Sequence, residues 1–130
     1  MRKEYLQEMS ASEIDTYAKC IGVDTSKAKQ KARKIAIICE SRERSAEIDV
    51  LGMALSVPIK KMHDKRITDR ASNVVDLSEL EFEQLMVDII GQEQMDALSE
   101  RCTDEDGTVD IDALALALTS VITSDKLKNF

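Results

Sequence analysis

Between Asp76 and Ile122 apolar residues recur at helical spacing almost without interruption, broken only by one glycine and one acidic loop. Phe82, Leu85, Met86, Ile89 and Ile90 fall at i, i+3, i+4, i+7 and i+8, a full core-facing stripe. Asp76 or Ser78 starts this helix, each with a glutamate three residues on, at Glu79 and Glu81. Leu77 and Leu80 add a second, partly overlapping face. Gly91 ends the helix, and Met95, Leu98 and Cys102 continue a shorter one. Ile111, Leu114, Ala115, Leu118 and Ile122 mark the last long helix. Leu116 and Val121 fall off its stripe, so this helix is apolar on more than one side: it is central in the fold, or it contacts a partner.

A chain of 130 residues is one domain, or one domain with a small appendage, and buries a core without staples. That core is aliphatic, because there is no Trp and only Tyr5, Tyr17, Phe82 and Phe130 are aromatic. Cys20, Cys39 and Cys102 are far apart and unpaired by any CxxC spacing, which fits reduced thiols used as small core residues. No apolar run is long enough to cross a bilayer, and the start MRKEYLQEMS lacks the apolar segment of a secretory signal, so a cytoplasmic protein is expected. The net charge of −7 is unevenly spread: +3 over residues 1–45, +1 over 46–72 and −11 over 73–130. The acidic end is either a solvated face or the surface that meets a basic partner.

Residues 10–44 read as a basic helical pair. Ser10 and Glu13 have capping-box spacing, and Ile14, Tyr17, Ala18 and Ile21 follow on one face. Gly22 closes the first helix. Asp24, Thr25 and Ser26 are placed to start the second, with Ala28, Ala32, Ile35, Ala36 and Cys39 on its apolar face and Lys27, Lys29, Lys31, Arg33 and Lys34 opposite. Two helices with a basic second member invite a nucleic-acid reading, and Ala18-x-x-x-Gly22 resembles the turn of helix-turn-helix proteins. The stretch is also similar to small helix-extension-helix modules of the SAP kind. Neither spacing is distinctive, so nucleic acid is not the expected partner. A pair of this size buries too little to be firmly stable alone, so it leans on the rest of the chain or is mobile.

At residue 46 the period changes from helical to alternating. In AEIDVLGMALSVP, Ile48 and Val50 alternate with Glu47 and Asp49, and Leu55 and Val57 with Ala54 and Ser56. Leu51-Gly52 between them predicts a tight hairpin, with Gly52 supplying positive φ and Pro58 ending the second strand. A lone hairpin must pack on helices, or extend its edge against another copy or a partner. Residues 59–72 predict a highly charged helix anchored by Ile59, Met62 and Ile67. His63 beside Asp64 has no nucleophile near it in sequence and reads as a surface histidine.

The stretch DEDGTVDIDAL resembles a calcium-binding EF-hand loop. In the register that fits Asp104, Asp106, Gly107 and Val109, however, the first and twelfth positions hold Cys102 and Ala113 instead of acidic ligands. The alternative is a solvated turn, permitted by Gly107, with Asp110 or Asp112 capping the final helix. A final piece, SDKLKNF, opens on Ser124-Asp125 as a new cap. No phosphate loop, HExxH or GxSxG occurs. No catalytic residue, metal ligand or cofactor is therefore expected.

From the hairpin onward, AEIDVLGMALSVP, then DLSELEFEQLMVDIIGQEQMDAL, then VDIDALALAL, the chain resembles the tail assembly chaperones of long-tailed phages and prophages of actinobacteria and their relatives. The shared pattern is a short hairpin, a helix ending in a Gly-x-Glu-Gln-like break, a short helix, and a last helix after an acidic loop. Residues 1–45 stand outside it. The resemblance implies a non-enzymatic helper in the host cytoplasm that coats the tape measure protein and brings tail tube subunits, the major tail protein, to it. The expected architecture is mainly α with a small β-hairpin: a helical bundle packed on two strands (46–130) with an N-terminal helical pair (1–45). Phe82, Met86, Ile89, Leu114, Leu118 and Ile122 are the candidate partner-binding residues, and they are equally the best core candidates. A second copy of the chain is a further candidate partner.

Overall fold

A computed structural model describes residues 1–127. Among them the chain forms seven α-helices and one two-stranded antiparallel hairpin, the mainly helical architecture expected. The order is α1 (Lys3–Glu8), α2 (Ala11–Cys20), α3 (Lys31–Arg42), β1 (Ser45–Val50), β2 (Met53–Pro58), α4 (Lys65–Ser72), α5 (Glu79–Ile90), α6 (Gln92–Arg101) and α7 (Ile111–Ile122), with short 3-10 turns at Ile59–His63, Val74–Asp76 and Asp125–Leu127. Residues 128–130 of the C-terminal SDKLKNF piece lie outside the described residues.

The N-terminal segment holds three helices rather than a pair, because α1 precedes the capping box of Ser10 and Glu13 that starts α2. Leu6, Ile14, Ala18, Val23, Ile35 and Ile38 form a core of their own, with Tyr17, Ile21 and Cys39 packed against it. The second expected helix starts later, at Lys31 instead of near Ser26. Asp24 closes a local turn, its Oδ1 accepting from the amide of Ser26 at 2.9 Å and from its hydroxyl, and these bonds hold the backbone out of a helix. The buried face of α3 is also rotated. Ile35 and Ile38 point inward with Lys34 and Ser41, while Ala32 is exposed.

Lys34 corrects the expected basic outer face. Its side chain is only 6% exposed, and its Nζ lies 2.6 Å from Asp15 Oδ1 on α2. The same ammonium donates to the Thr25 carbonyl at 3.0 Å, and the Thr25 hydroxyl donates to Asp15 at 2.7 Å. A charge this deep requires such partners. The pair fastens α2, the following loop and α3 together.

The hairpin forms at the expected place and register, with Val50 opposite Met53 and Ala46 opposite Val57. Leu51 (φ 51°) and Gly52 (φ 79°) both adopt the left-handed conformation that a two-residue primed turn requires. Ile48, Val50, Leu55 and Val57 face inward. Residues 59–72 are not one helix: Asp64 ends the 3-10 turn and caps α4, accepting from the Arg66 amide at 2.9 Å. Ile59 and Ile67 anchor this segment, and Met62 packs partly against the core.

Ser78 and Glu81 form the capping box of α5, and Leu85, Met86, Ile89 and Ile90 are buried beneath it. Gly91 (φ 84°) breaks the chain sharply into α6, which buries Met95 and Leu98 and leads into buried Cys102. Gly107 (φ 86°) turns the acidic loop, and Asp110 caps α7 by accepting from the amides of Asp112 and Ala113. The buried stripe of α7 is Leu114, Ala117, Leu118 and Val121, one position round from the expected stripe. Ile111 and Ala115 are exposed, and Val121 is fully buried. The cysteines are free thiols at three depths: Cys20 exposed, Cys39 half-buried, Cys102 buried.

Candidate partner-binding surface

The six residues singled out from sequence all belong to the packed unit of hairpin and helices α4–α7. Met86, Ile89, Leu114 and Leu118 sit in the core, each at most 1% exposed, and Phe82 and Ile122 are partly buried against it. In this arrangement they serve the core of that unit. The apolar side chains that reach solvent are different ones: Val75 (90% exposed), Leu80 (78%), Leu116 (57%), Val109 and Ile111.

Leu80 is part of a built surface. With Glu83, Gln84 and Val87 of α5, and Gln92, Met95, Asp96 and Ser99 of α6, it lines a shallow groove between the two helices. Buried Met95 and half-buried Val87 form its apolar part, and Glu83 and Asp96 supply negative charge. Its polar side chains are ordered along each helix, Gln84 Nε2 donating to Asp88 at 2.9 Å and Gln92 Nε2 to Asp96 at 2.7 Å. Asp88 also receives Arg70 of α4 at 2.7 Å. Burial pushes the Asp88 carboxyl up, but the hydrogen bonds from Arg70 and Gln84 outweigh it and hold the group below the usual carboxylate range.

A second concavity of about 730 Å³ opens where the N-terminal helices meet the end of the hairpin. Tyr17, Ile21 and Arg42 line one side, and Pro58, Lys60, Lys61, His63, Asp64 and Arg66 the other. Arg42 donates to the Tyr17 hydroxyl at 3.0 Å and to the Met1 carbonyl. The Asp64 carboxylate is engaged by Arg66, whose side-chain and backbone hydrogen bonds hold it below its usual range. His63 is exposed at the end of the 3-10 turn.

In the acidic loop, Asp106 accepts from the Thr108 amide at 2.9 Å, which lowers its carboxyl below the usual range, and the Asp104 amide donates to the Thr108 carbonyl. Among the described residues no group of three or more His, Cys, Asp or Glu is placed to hold a metal ion. No helix among them is long and apolar enough to cross a membrane. Comparison with known protein families, with curated proteins and with solved structures gives no match for this chain.

Proposed function

We propose that this chain is a non-enzymatic assembly chaperone for a phage or prophage tail, acting in the host cytoplasm on the tape measure protein and the major tail protein. The observation that carries the reading is the groove between α5 and α6, where exposed Leu80 and apolar Val87 and Met95 are flanked by Glu83 and Asp96. A helical client that presents an apolar stripe flanked by Lys or Arg complements such a groove in shape and charge. The element order supports the same reading: hairpin, helix broken at Gly91, short helix, acidic loop, last helix. It is the order that the resemblance to tail assembly chaperones requires.

The test is co-expression with fragments of a tape measure protein, and separately with a tail tube subunit. The chain is expected to co-purify with both and to keep the tape measure fragment in solution. A chain that stays monomeric and leaves both proteins behind ends the proposal. A DNA-associated role for residues 10–44 draws less support, because Lys34 is turned inward to Asp15 and Arg33 lies 3.7 Å from Glu40. A salt-sensitive mobility shift with duplex DNA would revive it.

A further inference from the structure

The concavity of about 730 Å³ between the N-terminal helices and the end of the hairpin is positive in a protein that is negative as a whole. The chain carries −7, yet four cationic side chains, Arg42, Lys60, Lys61 and Arg66, line this hollow against two carboxylates, Glu43 and Asp64. Its walls belong to different cores. Tyr17 and Ile21 pack against the N-terminal one, whereas the 3-10 turn after Pro58 is anchored by Ile59 in the main one. The Ile59 amide donates to the Arg44 carbonyl at 3.1 Å, which holds that turn beside the chain leaving α3. Clefts between separately packed units are common ligand sites.

The positive charges are unequally spent. Arg66 faces Asp64 at 3.1 Å, and each offsets the other. Arg42 is half-buried, and its two acceptors, the Tyr17 hydroxyl and the Met1 carbonyl, are neutral. They hold the guanidinium in place without cancelling its charge, and leave further N–H groups of the fork for an anion. Lys60 and Lys61 form no ion pair among the described residues. Set against Glu43, these three cations leave the hollow positive.

An occupant must therefore bring negative charge, and the lining selects its kind. The volume exceeds what one inorganic anion fills. Glu43 and Asp64 interrupt the cations and would repel a continuous row of phosphates, whereas a peptide spaces its carboxylates with N–H groups that those two can accept. Among the described residues the lining has one Tyr and no Phe or Trp, and the Tyr17 hydroxyl is taken by Arg42, so no run of rings offers successive bases a stack. Ile21 and Pro58 give an apolar wall between the charges. We propose that this hollow binds an acidic peptide segment of a partner protein, whose carboxylates are received by Arg42, Lys60 and Lys61. The inference is independent of the tail-assembly reading, and its failure leaves that reading untouched.

The experiment is fluorescence anisotropy on the full chain with a labelled peptide of alternating glutamate and alanine, with circular dichroism to check the fold of each variant. Saturable binding that weakens with added salt is expected. Glutamine in place of the peptide's glutamates is expected to abolish it. Lys60→Ala with Lys61→Ala should weaken binding about tenfold, the combined effect of two exposed charge contacts. Lys60→Arg with Lys61→Arg keeps both charges and should keep binding. Lys27→Ala with Lys29→Ala makes the same change in net charge outside the hollow and should leave binding unchanged. Absence of saturable binding overturns the proposal, as does an equal loss in the Lys27 and Lys29 variant. Oligothymidylate that binds more tightly than the peptide, and is released by Lys60→Ala with Lys61→Ala, also overturns it, by making the site one for nucleic acid. Unfolding of the alanine pair, or equal loss in the arginine pair, overturns it by assigning the two lysines to the fold.

Discussion

Leu118 and Leu80 are leucines in the same helical unit with opposite surroundings, and truncating each separates the core from the proposed binding surface. Leu118 is 1% exposed and packs in the main core, whereas Leu80 is 78% exposed. Leu118→Ala removes buried methyl groups and leaves a cavity between α7 and its neighbours, at a cost of about 2–5 kcal/mol. Small domains have only about 5–15 kcal/mol in total, so the variant should remain folded but be visibly weakened. For a chain of this length a loss near the middle of that range lowers the melting temperature by roughly 10 °C. Leu80→Ala removes a side chain already in water and should change stability by no more than about 0.5 kcal/mol. Urea unfolding followed by circular dichroism measures both, and co-purification with the tape measure fragment measures binding. Leu80→Ala is expected to weaken capture while leaving the unfolding midpoint in place. A Leu118→Ala loss below about 1 kcal/mol, or equal losses for both variants, would refute the assignment of these side chains to core and surface.

Lys34→Met should cost no more than about 1 kcal/mol, because an apolar chain of similar length fills the site and Asp15 can turn to water; Asp15→Ala, which strands the buried ammonium, should be the more damaging change by urea unfolding. The hydrogen bond from Lys34, then that from Thr25, holds the Asp15 carboxyl below its ordinary value of 3.8. A carboxyl depressed in the folded state stabilises above its unfolded value and stops doing so as pH falls through the folded one, so stability should drop below about pH 4 and Asp15→Asn should flatten that drop. Gly52→Ala forces a side chain into φ 79° and brings its Cβ to 3.3 Å from Arg101 Nη1, so a loss of about 1–2 kcal/mol is expected in the same assay. Ser78→Ala removes the capping box of α5 and should cost about 1 kcal/mol.

What the sequence made legible was what neighbours in sequence decide. The boxes Ser10–Glu13 and Ser78–Glu81, the Leu51-Gly52 turn and the break at Gly91 each depend on residues within a few positions of one another. The start of α3 was misleading because Asp24, Thr25 and Ser26 carry the chemistry of a cap but spend it elsewhere. Asp24 bonds within its own turn, and Thr25 reaches back ten residues to Asp15. Lys34 could not be assigned to the interior without knowing that Asp15 would be waiting there. In α7, Ile111, Ala115, Leu116, Ala117 and Val121 are all apolar, so the spacing has no sharp phase, and packing against the hairpin chose the buried side. Gln94, whose side-chain amide bonds the backbone of Ser56 38 residues away, carries no periodic signal at all. The candidate binding residues were read as apolar and helical, correctly, but periodicity finds the most regular stripe, which is the one the core uses; the exposed Leu80 stands outside it.

The three thiols at three depths make this protein its own chemical clock. Cys20 is open to solvent, Cys39 packs against the N-terminal core, and Cys102 is closed into the main one, where burial first and the Asp110 carboxylate second push its thiol above the usual range. Only thiolate reacts, so a disulfide reagent should consume Cys20 first, half-buried Cys39 more slowly, and Cys102 last, when the main core opens. The slowest rate then times the opening of the main core, in one cuvette and without adding a label.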